Sequence, residues 1–401
     1  MNWFYGWRSG FMQWREIAYQ AATVVSALTA WGLQQTSAQA ALLVGNTAGN
    51  NVLIFDERTG KLGGEFIGAG SGGLTSPDDL TFGSDGDLYV SSGNNFSGAI
   101  LRYDGRTGQF RGRFDQGGTL IRPYGSIFGP DGELYVSSFL TDQILRYDGK
   151  TGAFIDVFAA GNGQANGLNG PNDLVFDAAG NLYVTTQGSV AAPGDGDGDG
   201  DVEPGEIAAN FPGLPSQVLR FTNNNGVLSS TLTVFADQPQ PLPLSFGFVS
   251  FLGLSIAPNG DLVTTDFANG IRSYDLATGT LKSTIATSYA TFNDNGQTRS
   301  SNFIGNLTFT PDNKLYTVGF DSRNNNFGAI LRYDGTTGQP LPSPGNTNAV
   351  LVATNANLKR PIGIAYAPIS VPEPTTTVGL LAFGAAATAL SLKRDRKSSN
   401  P

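Results

Sequence analysis

The sequence predicts an all-β chain folded as a six-bladed β-propeller, and three observations carry the prediction. A hairpin element recurs six times, a short apolar strand recurs six times in fixed order with it, and the two series start and stop out of phase. Composition agrees: of 401 residues, 40% are hydrophobic, only 14% are charged and 54 are glycine. Gly and Asn reach positive φ cheaply and Asp caps turns, so the mixture suits many short strands joined tightly.

The first element reads apolar-x-Arg-Tyr-Asp-Gly-x-Thr-Gly. It stands as ILRYDGRTG (Ile100–Gly108), ILRYDGKTG (Ile144–Gly152) and ILRYDGTTG (Ile330–Gly338), with looser copies at Val52–Gly60, Val218–Gly226 and Ile271–Gly279. The second is a strand often opened by proline: PDDLTF (Pro77–Phe82), PYGSIF (Pro123–Phe128), PNDLVF (Pro171–Phe176), LGLSI (Leu252–Ile256), IGNLTF (Ile304–Phe309) and PIGIAY (Pro361–Tyr366). Between them lie pieces such as SDGDLYVSS (Ser84–Ser92) and PDGELYVSS (Pro130–Ser138), in which Asp-Gly precedes an alternating run, a strong hairpin signal. Each unit is therefore strand A, an Asp/Asn-Gly turn, strand B, a loop, strand C ending in Tyr-Asp, a Thr-Gly turn, and strand D. Four antiparallel strands that cannot bury both faces alone make one blade of a ring.

The phase of the series closes the ring. The first hairpin precedes any strand A, and the last strand A, Pro361–Tyr366, has no hairpin after it. Ala41–Phe66 supplies strands B, C and D of a blade whose strand A comes from the other end of residues 41–370, which removes two open sheet edges.

The chain has no cysteine and no histidine. Disulfides, imidazole bases, Ser-His-Asp triads and the usual zinc sites are excluded together. Formal charge is −9, and setting aside residues 1–40 and 371–401 leaves 18 basic and 30 acidic residues, a body of about −12. Such a body repels phosphate backbones, so nucleic acid is not expected as a partner.

Residues 1–40 read as a signal peptide: Arg8 and Arg15 precede the apolar run Ala21–Leu33, and Ala38, Gln39 and Ala40 offer a cleavage site before Ala41. An uncleaved anchor helix is the alternative. At the other end, Val371 and the Pro372, Glu373, Pro374 triplet precede the apolar run Thr375–Leu392, followed by the basic cluster Lys393–Lys397. Eighteen residues at about 1.5 Å rise reach about 27 Å, enough for a transmembrane helix. The basic cluster holds that end in the cytoplasm and leaves everything upstream outside the inner membrane. The order of parts over residues 371–397 resembles the PEP-CTERM sorting signal. The resemblance implies an exosortase-type processing enzyme as partner, a membrane anchor before processing, and release toward the cell surface or extracellular matrix; a plain tail anchor is the alternative.

The strand wording of residues 41–370 resembles NHL-repeat proteins and the wider gluconolactonase-like set of six-bladed propellers. The lactonase resemblance implies a divalent metal at the channel mouth held by Glu, Asn and Asp, which polarises an ester. The segment Pro171, Asn172, Asp173 is similar to one of those ligand segments, but the first-blade glutamate has no match in ALLVGN (Ala41–Asn46).

One insertion, residues 192–217, breaks the repeat. From Asp195 to Glu206 it matches the EF-hand loop pattern D-x-D-x-D-G-x₅-E. Asp195, Asp197 and Asp199 stand at positions one, three and five, Gly200 at the sharp turn, Asp201 at seven, Glu203 at nine and Glu206 at the closing twelfth. Hard Ca²⁺ takes such an oxygen cage, so a structural calcium that pins the loop is expected; a flexible acidic linker is the alternative. Pro193, Gly194 and Pro204 argue against flanking helices.

In this strand order the D-to-A and B-to-C loops share one face around the channel. The D-to-A entries present Asp78, Asp79, Arg122, Asn172, Asp173, Asn306 and Arg360, and the B-to-C loops present Asn94, Asp142, Asp266 and Asp321. Carboxylates and amides in that number suit a cation or sugar hydroxyls. The expectation is an exported binding protein for carbohydrate or for another envelope protein. A metal-dependent lactonase and a structural component of an exopolysaccharide matrix are the alternatives.

Overall fold

A computed structural model describes residues 40–367 and 369. The signal peptide, the Pro372–Pro374 triplet and the C-terminal apolar run lie outside those residues. Among the described residues no helix is long and apolar enough to cross a membrane.

Six four-stranded antiparallel sheets form, with two extra two-stranded ribbons. Blade I is the composite: Pro361–Ala367, Ala41–Asn46, Asn51–Asp56 and Leu62–Ile67 from strand A to strand D. Leu43 lies opposite Ala365 and Val44 opposite Ile364, so the two ends of the propeller share a sheet as the phase of the repeats predicts. Blades II to VI are contiguous, with A strands at Leu80–Phe82, Pro123–Phe128, Pro171–Phe176, Phe251–Ile256 and Asn302–Phe309.

The repeated residues explain the blade. In the C-to-D turns, Asp104 Oδ1 accepts from Arg106 N, Thr107 N and Thr107 Oγ1 at 2.9–3.0 Å. Asp148, Asp275 and Asp334 do the same. The glycine that ends each such turn takes φ near +70°, as at Gly108, where a Cβ would also meet Phe66 O. In strand B, Tyr89 and Tyr135 donate to Asp85 and Asp131 of the preceding A-to-B turn at 2.9 and 2.8 Å. Each ring packs edge-on against one phenylalanine at the strand D end of its own blade, Phe114 for Tyr89 and Phe158 for Tyr135, and one from strand A of the next blade, Phe128 and Phe176.

Burial is concentrated between blades. Six apolar clusters fill the six blade interfaces, from Leu43, Ile54, Leu88 and Tyr103 between I and II to Leu42, Phe55, Tyr316 and Ile330 between VI and I. The composite blade is thus packed on both sides like any other.

Both ribbons decorate the face of the D-to-A and B-to-C loops. Val190–Pro193 and Ile207–Asn210 pair across the neck of the insertion, so strands rather than helices flank the acidic loop. Thr291–Asp294 and Gln297–Ser300 form a second hairpin in the loop entering blade VI. Its turn is Asn295-Gly296, both at positive φ.

Candidate functional site

The A strands converge on the channel, and their repeat sets its throat. In blades II, IV and VI the same strand position carries Asp79, Asp173 and Asn306, whereas in blades III, V and I it carries Gly125, Gly253 and Gly363. The strands step out of register with their neighbours at this point in blades III to VI. Polar residues alternate with glycines because the ring has no room for six side chains. A Cβ on Gly253 would lie 2.3 Å from Asn306 Oδ1, and one on Gly125 2.6 Å from the Asn172 carbonyl.

The throat carboxylates hold neighbouring blades. Asp79 Oδ2 accepts from Ser126 N and Ser126 Oγ of blade III, both at 2.9 Å, and from Thr81 Oγ1 at 3.2 Å. Asp173 Oδ2 accepts from Leu254 N of blade V at 2.7 Å and Oδ1 accepts from Leu174 N at 2.8 Å, while Asn306 Oδ1 accepts from Leu307 N at 2.8 Å. Burial pushes both carboxyls well above the usual range, and the charge of Asp79 raises Asp173 further. Asn172 donates to Phe251 O at 2.9 Å and accepts from Gln187 at 3.2 Å.

Asp78 lies one residue nearer the mouth, buried, accepting from Thr47 Oγ1 at 2.7 Å. Desolvation raises its carboxyl, while the guanidinium groups of Arg122 and Arg360 oppose the rise. These arginines enter blades III and I, on either side of blade II. Arg122 donates to Asn95 Oδ1 at 2.8 Å and to Tyr124 Oη at 3.2 Å. Arg360 lies over the Phe320 ring at 5.9 Å.

The structure therefore brings Asp78, Asp79, Asn172, Asp173, Asn306, Arg122 and Arg360 around the channel, with the five acids and amides buried in bonds to the protein itself. The B-to-C residues are more dispersed. Asp142 caps Gly170 N and Ala191 N at 2.8 and 2.7 Å, which ties the insertion to blade III. Asp266 forms a fully buried ion pair with Arg272 at 2.6 Å. Asn94 and Asp321 cap their own loops.

In the insertion, Asp195, Asp197 and Asp199 are exposed, and each offers an oxygen within 4.8 Å of the others. Gly200 has φ +102°, the turn that the motif asks of its sixth residue. Asp201 and Glu203 are exposed beside them, whereas Glu206 is buried and accepts from Gly196 N, Asp197 N and Glu203 N at 2.8–3.2 Å. The ribbon arches to blade II, where Ile207 N donates to Asn95 O at 3.3 Å. Among the described residues this is the only group of three acidic side chains so gathered, and it lies outside the throat.

A cleft that the sequence reading did not single out opens on the same face between blades IV and V, with a volume of about 830 Å³. Gln187 directly follows strand B of blade IV, Phe211 comes from the insertion, Asp237, Gln238 and Phe248 from the D-to-A loop, and Phe267 directly follows strand B of blade V. Phe211 is 64% exposed and Phe248 43% exposed, which is unusual for side chains of that size. The signal available in the sequence was the run PLPLSFGFVSF (Pro241–Phe251), which carries more aromatic residues than a connecting loop needs. Phe267 continues into a stack: Phe303 lies parallel to it at 4.4 Å and to Phe246 at 4.2 Å, with Phe320 tilted against Phe303 at 5.5 Å.

Comparison with known proteins adds the cellular address. Residues 370–396 match the PEP-CTERM protein-sorting motif, one residue displaced from the segment read in the sequence. The match supports export, membrane-anchored sorting to the cell envelope and recognition by an exosortase-type enzyme. No curated protein matches the chain. Among solved structures it is similar to a chain of a nidogen/laminin complex, with 14% identity over 82% of this chain and 98% of that one and a TM-score of 0.51. It is also similar to a protein of unknown function from Bacteroides caccae, with 13% identity, coverage of 82% and 99%, and a TM-score of 0.49. A gluconolactonase from Xanthomonas campestris gives 18% identity, coverage of 70% and 79%, and a TM-score of 0.45. At these identities the first likeness speaks for shared fold alone. The chain is an exported six-bladed β-propeller that carries a PEP-CTERM protein-sorting motif.

Proposed function

We propose that the exported propeller is a non-catalytic binding protein for carbohydrate, and that its ligand occupies the cleft between blades IV and V. The observation that carries this reading is the lining of that cleft: exposed Phe211 and Phe248 rings beside the amides of Gln187 and Gln238 and the carboxylate of Asp237. A sugar ring has an apolar C–H face and a rim of hydroxyls, and needs an aromatic platform beside amide and carboxylate partners. The volume suits a small oligosaccharide. Lactone hydrolysis would need throat carboxylates free to hold a metal, and those of Asp79 and Asp173 are engaged by backbone donors of the next blade.

We also propose a structural calcium at Asp195, Asp197, Asp199, Asp201, Glu203 and Glu206. The motif spacing and the gathering of the three aspartates support it. Because the same insertion supplies Phe211, Leu214 and Pro215 to the cleft, the ion would steady one wall of the binding site.

A glycan array probed with the full chain in detergent tests the reading. Retention of a saccharide, with Phe248→Ala and Phe211→Ala each lowering affinity about tenfold at unchanged melting temperature, is the expected result. Retention of no saccharide, or binding indifferent to both substitutions, contradicts it.

A further inference from the structure

We infer that the channel mouth next to the cleft is an anion site, formed by Arg360 and Arg122 around Asp78, and that the saccharide bound here is acidic, carrying ring carboxylates. The inference rests on the carbohydrate reading and names the ligand's charge.

The argument begins with charge. Arg360, Asp78 and Arg122 enter three consecutive blades, I, II and III, and both guanidinium groups act on the one buried carboxylate. That carboxylate is already held by Thr47. Two guanidinium groups therefore flank this one carboxylate, with Asp79 one residue deeper in the throat. Arg122 has only neutral partners, Asn95 and Tyr124, and among the described residues neither arginine lies within ion-pair distance of an acid. Arg122 spends only Nε and Nη1 on its two partners, and Arg360 makes no side-chain hydrogen bond among the described residues, so both keep N–H donors for an anionic ligand.

The backbone adds to the case. Arg122 and Arg360 both take φ +49° immediately before a proline, where a long side chain in the left-handed region is strained. Blade IV places Gly170 at the same point, φ +60°, where the conformation is free. Blade II places Ser76 there at φ +43°, so the left-handed entry belongs to the fold, and arginine at two of its four occurrences brings guanidinium groups to the mouth.

Continuity supplies the ligand class. Phe267 lines the cleft and stacks on Phe303, Phe303 meets Phe320, and Phe320 lies under Arg360. The packed stack thus links the cleft wall to the Arg360 guanidinium. A chain of uronic-acid type suits the two ends, with a ring face on exposed Phe248 in the cleft and a carboxylate at Arg360, where bidentate bonding is available. The acidic body does not oppose this, because charges beyond about 8 Å are screened at physiological salt.

The test is a titration of the full chain in detergent with a galacturonate tetramer and with its carboxyl-reduced, neutral counterpart. The acidic tetramer is expected to bind about tenfold tighter or more. Arg360→Gln should bring the two ligands within about threefold of each other, while Arg360→Lys keeps most of the preference; melting curves confirm that both variants fold. Equal binding of the two tetramers by the native chain, or an undiminished preference in Arg360→Gln, overturns the anion site and leaves the carbohydrate reading standing. If the array also retains no saccharide of any kind, both readings fall.

Discussion

Replacing Asp79 with alanine distinguishes a latch between blades from a ligand for a cation. Asp79 Oδ2 receives Ser126 N, Ser126 Oγ and Thr81 Oγ1. The hydroxyls can turn to other acceptors, but Ser126 N–H is fixed in strand A of blade III and becomes a buried orphan. Loss of that bond costs about 1–3 kcal/mol, and the weaker hydroxyl bonds bring the total to about 2–4 kcal/mol. The pH dependence is the sharper readout. Burial raises the folded carboxyl above its unfolded value near 3.8, so the folded state holds the proton more tightly than the unfolded one. The contribution of Asp79 is full at acidic pH and declines as pH rises through the raised folded value. Urea unfolding of native and Asp79→Ala chains in chelator should therefore give a larger difference at pH 5 than at pH 8. A cation between Asp79 and Asp173 would favour the ionised pair and reverse the slope. A difference that grows with pH, and grows further on adding divalent metal, would refute the latch.

Four further outcomes follow from the same structure. With 10 mM calcium the native chain should gain about 1.5–2.7 kcal/mol over its chelated form, and Asp195→Ala with Asp199→Ala should abolish that gain in thermal melts. Asp266→Ala strands the Arg272 guanidinium beside Phe251 and should cost about 3–5 kcal/mol in urea unfolding; Arg272→Met should cost less, because Asp266 keeps Ser250 N and Ala268 N. The turn carboxyl of Asp148 is held below its ordinary value by Thr151, so its contribution exists above pH 3.8 and fades as pH falls through the lowered folded value. The melting difference between native and Asp148→Ala should accordingly close in strong acid. Leu43→Cys with Ala365→Cys, directly opposed in blade I of a chain without cysteine, should oxidise to a ring that runs faster on a non-reducing gel.

The ring was legible in the sequence because its parts are local and repeated. Each Tyr-Asp-Gly-x-Thr-Gly turn closes through bonds within five residues, and the unmatched ends at Ala41 and Pro361 leave one way to complete a sheet. The throat was half legible. Asp79, Asp173 and Asn306 were picked out as polar residues on the right loops, but alternation with Gly125, Gly253 and Gly363 emerges only when six strands meet, and it turns those side chains toward neighbouring backbones. The cleft was not legible as a site. Gln187, Phe211, Gln238, Phe248 and Phe267 span eighty residues with no motif, and it takes the insertion folding back against the next blade to assemble them. The second hairpin was available in Asn295-Gly296 but lay within a loop that the repeat left unassigned.

The measurement closest to the central claim is a crystal structure of the exported protein soaked with a saccharide retained on the array. The account predicts sugar density between blades IV and V, a ring face against Phe248 and hydroxyls toward Gln187 and Gln238, with any carboxylate directed to Arg360. Density on the opposite face of the propeller, or a metal-bound ligand inside the throat at Asp79 and Asp173, would contradict it.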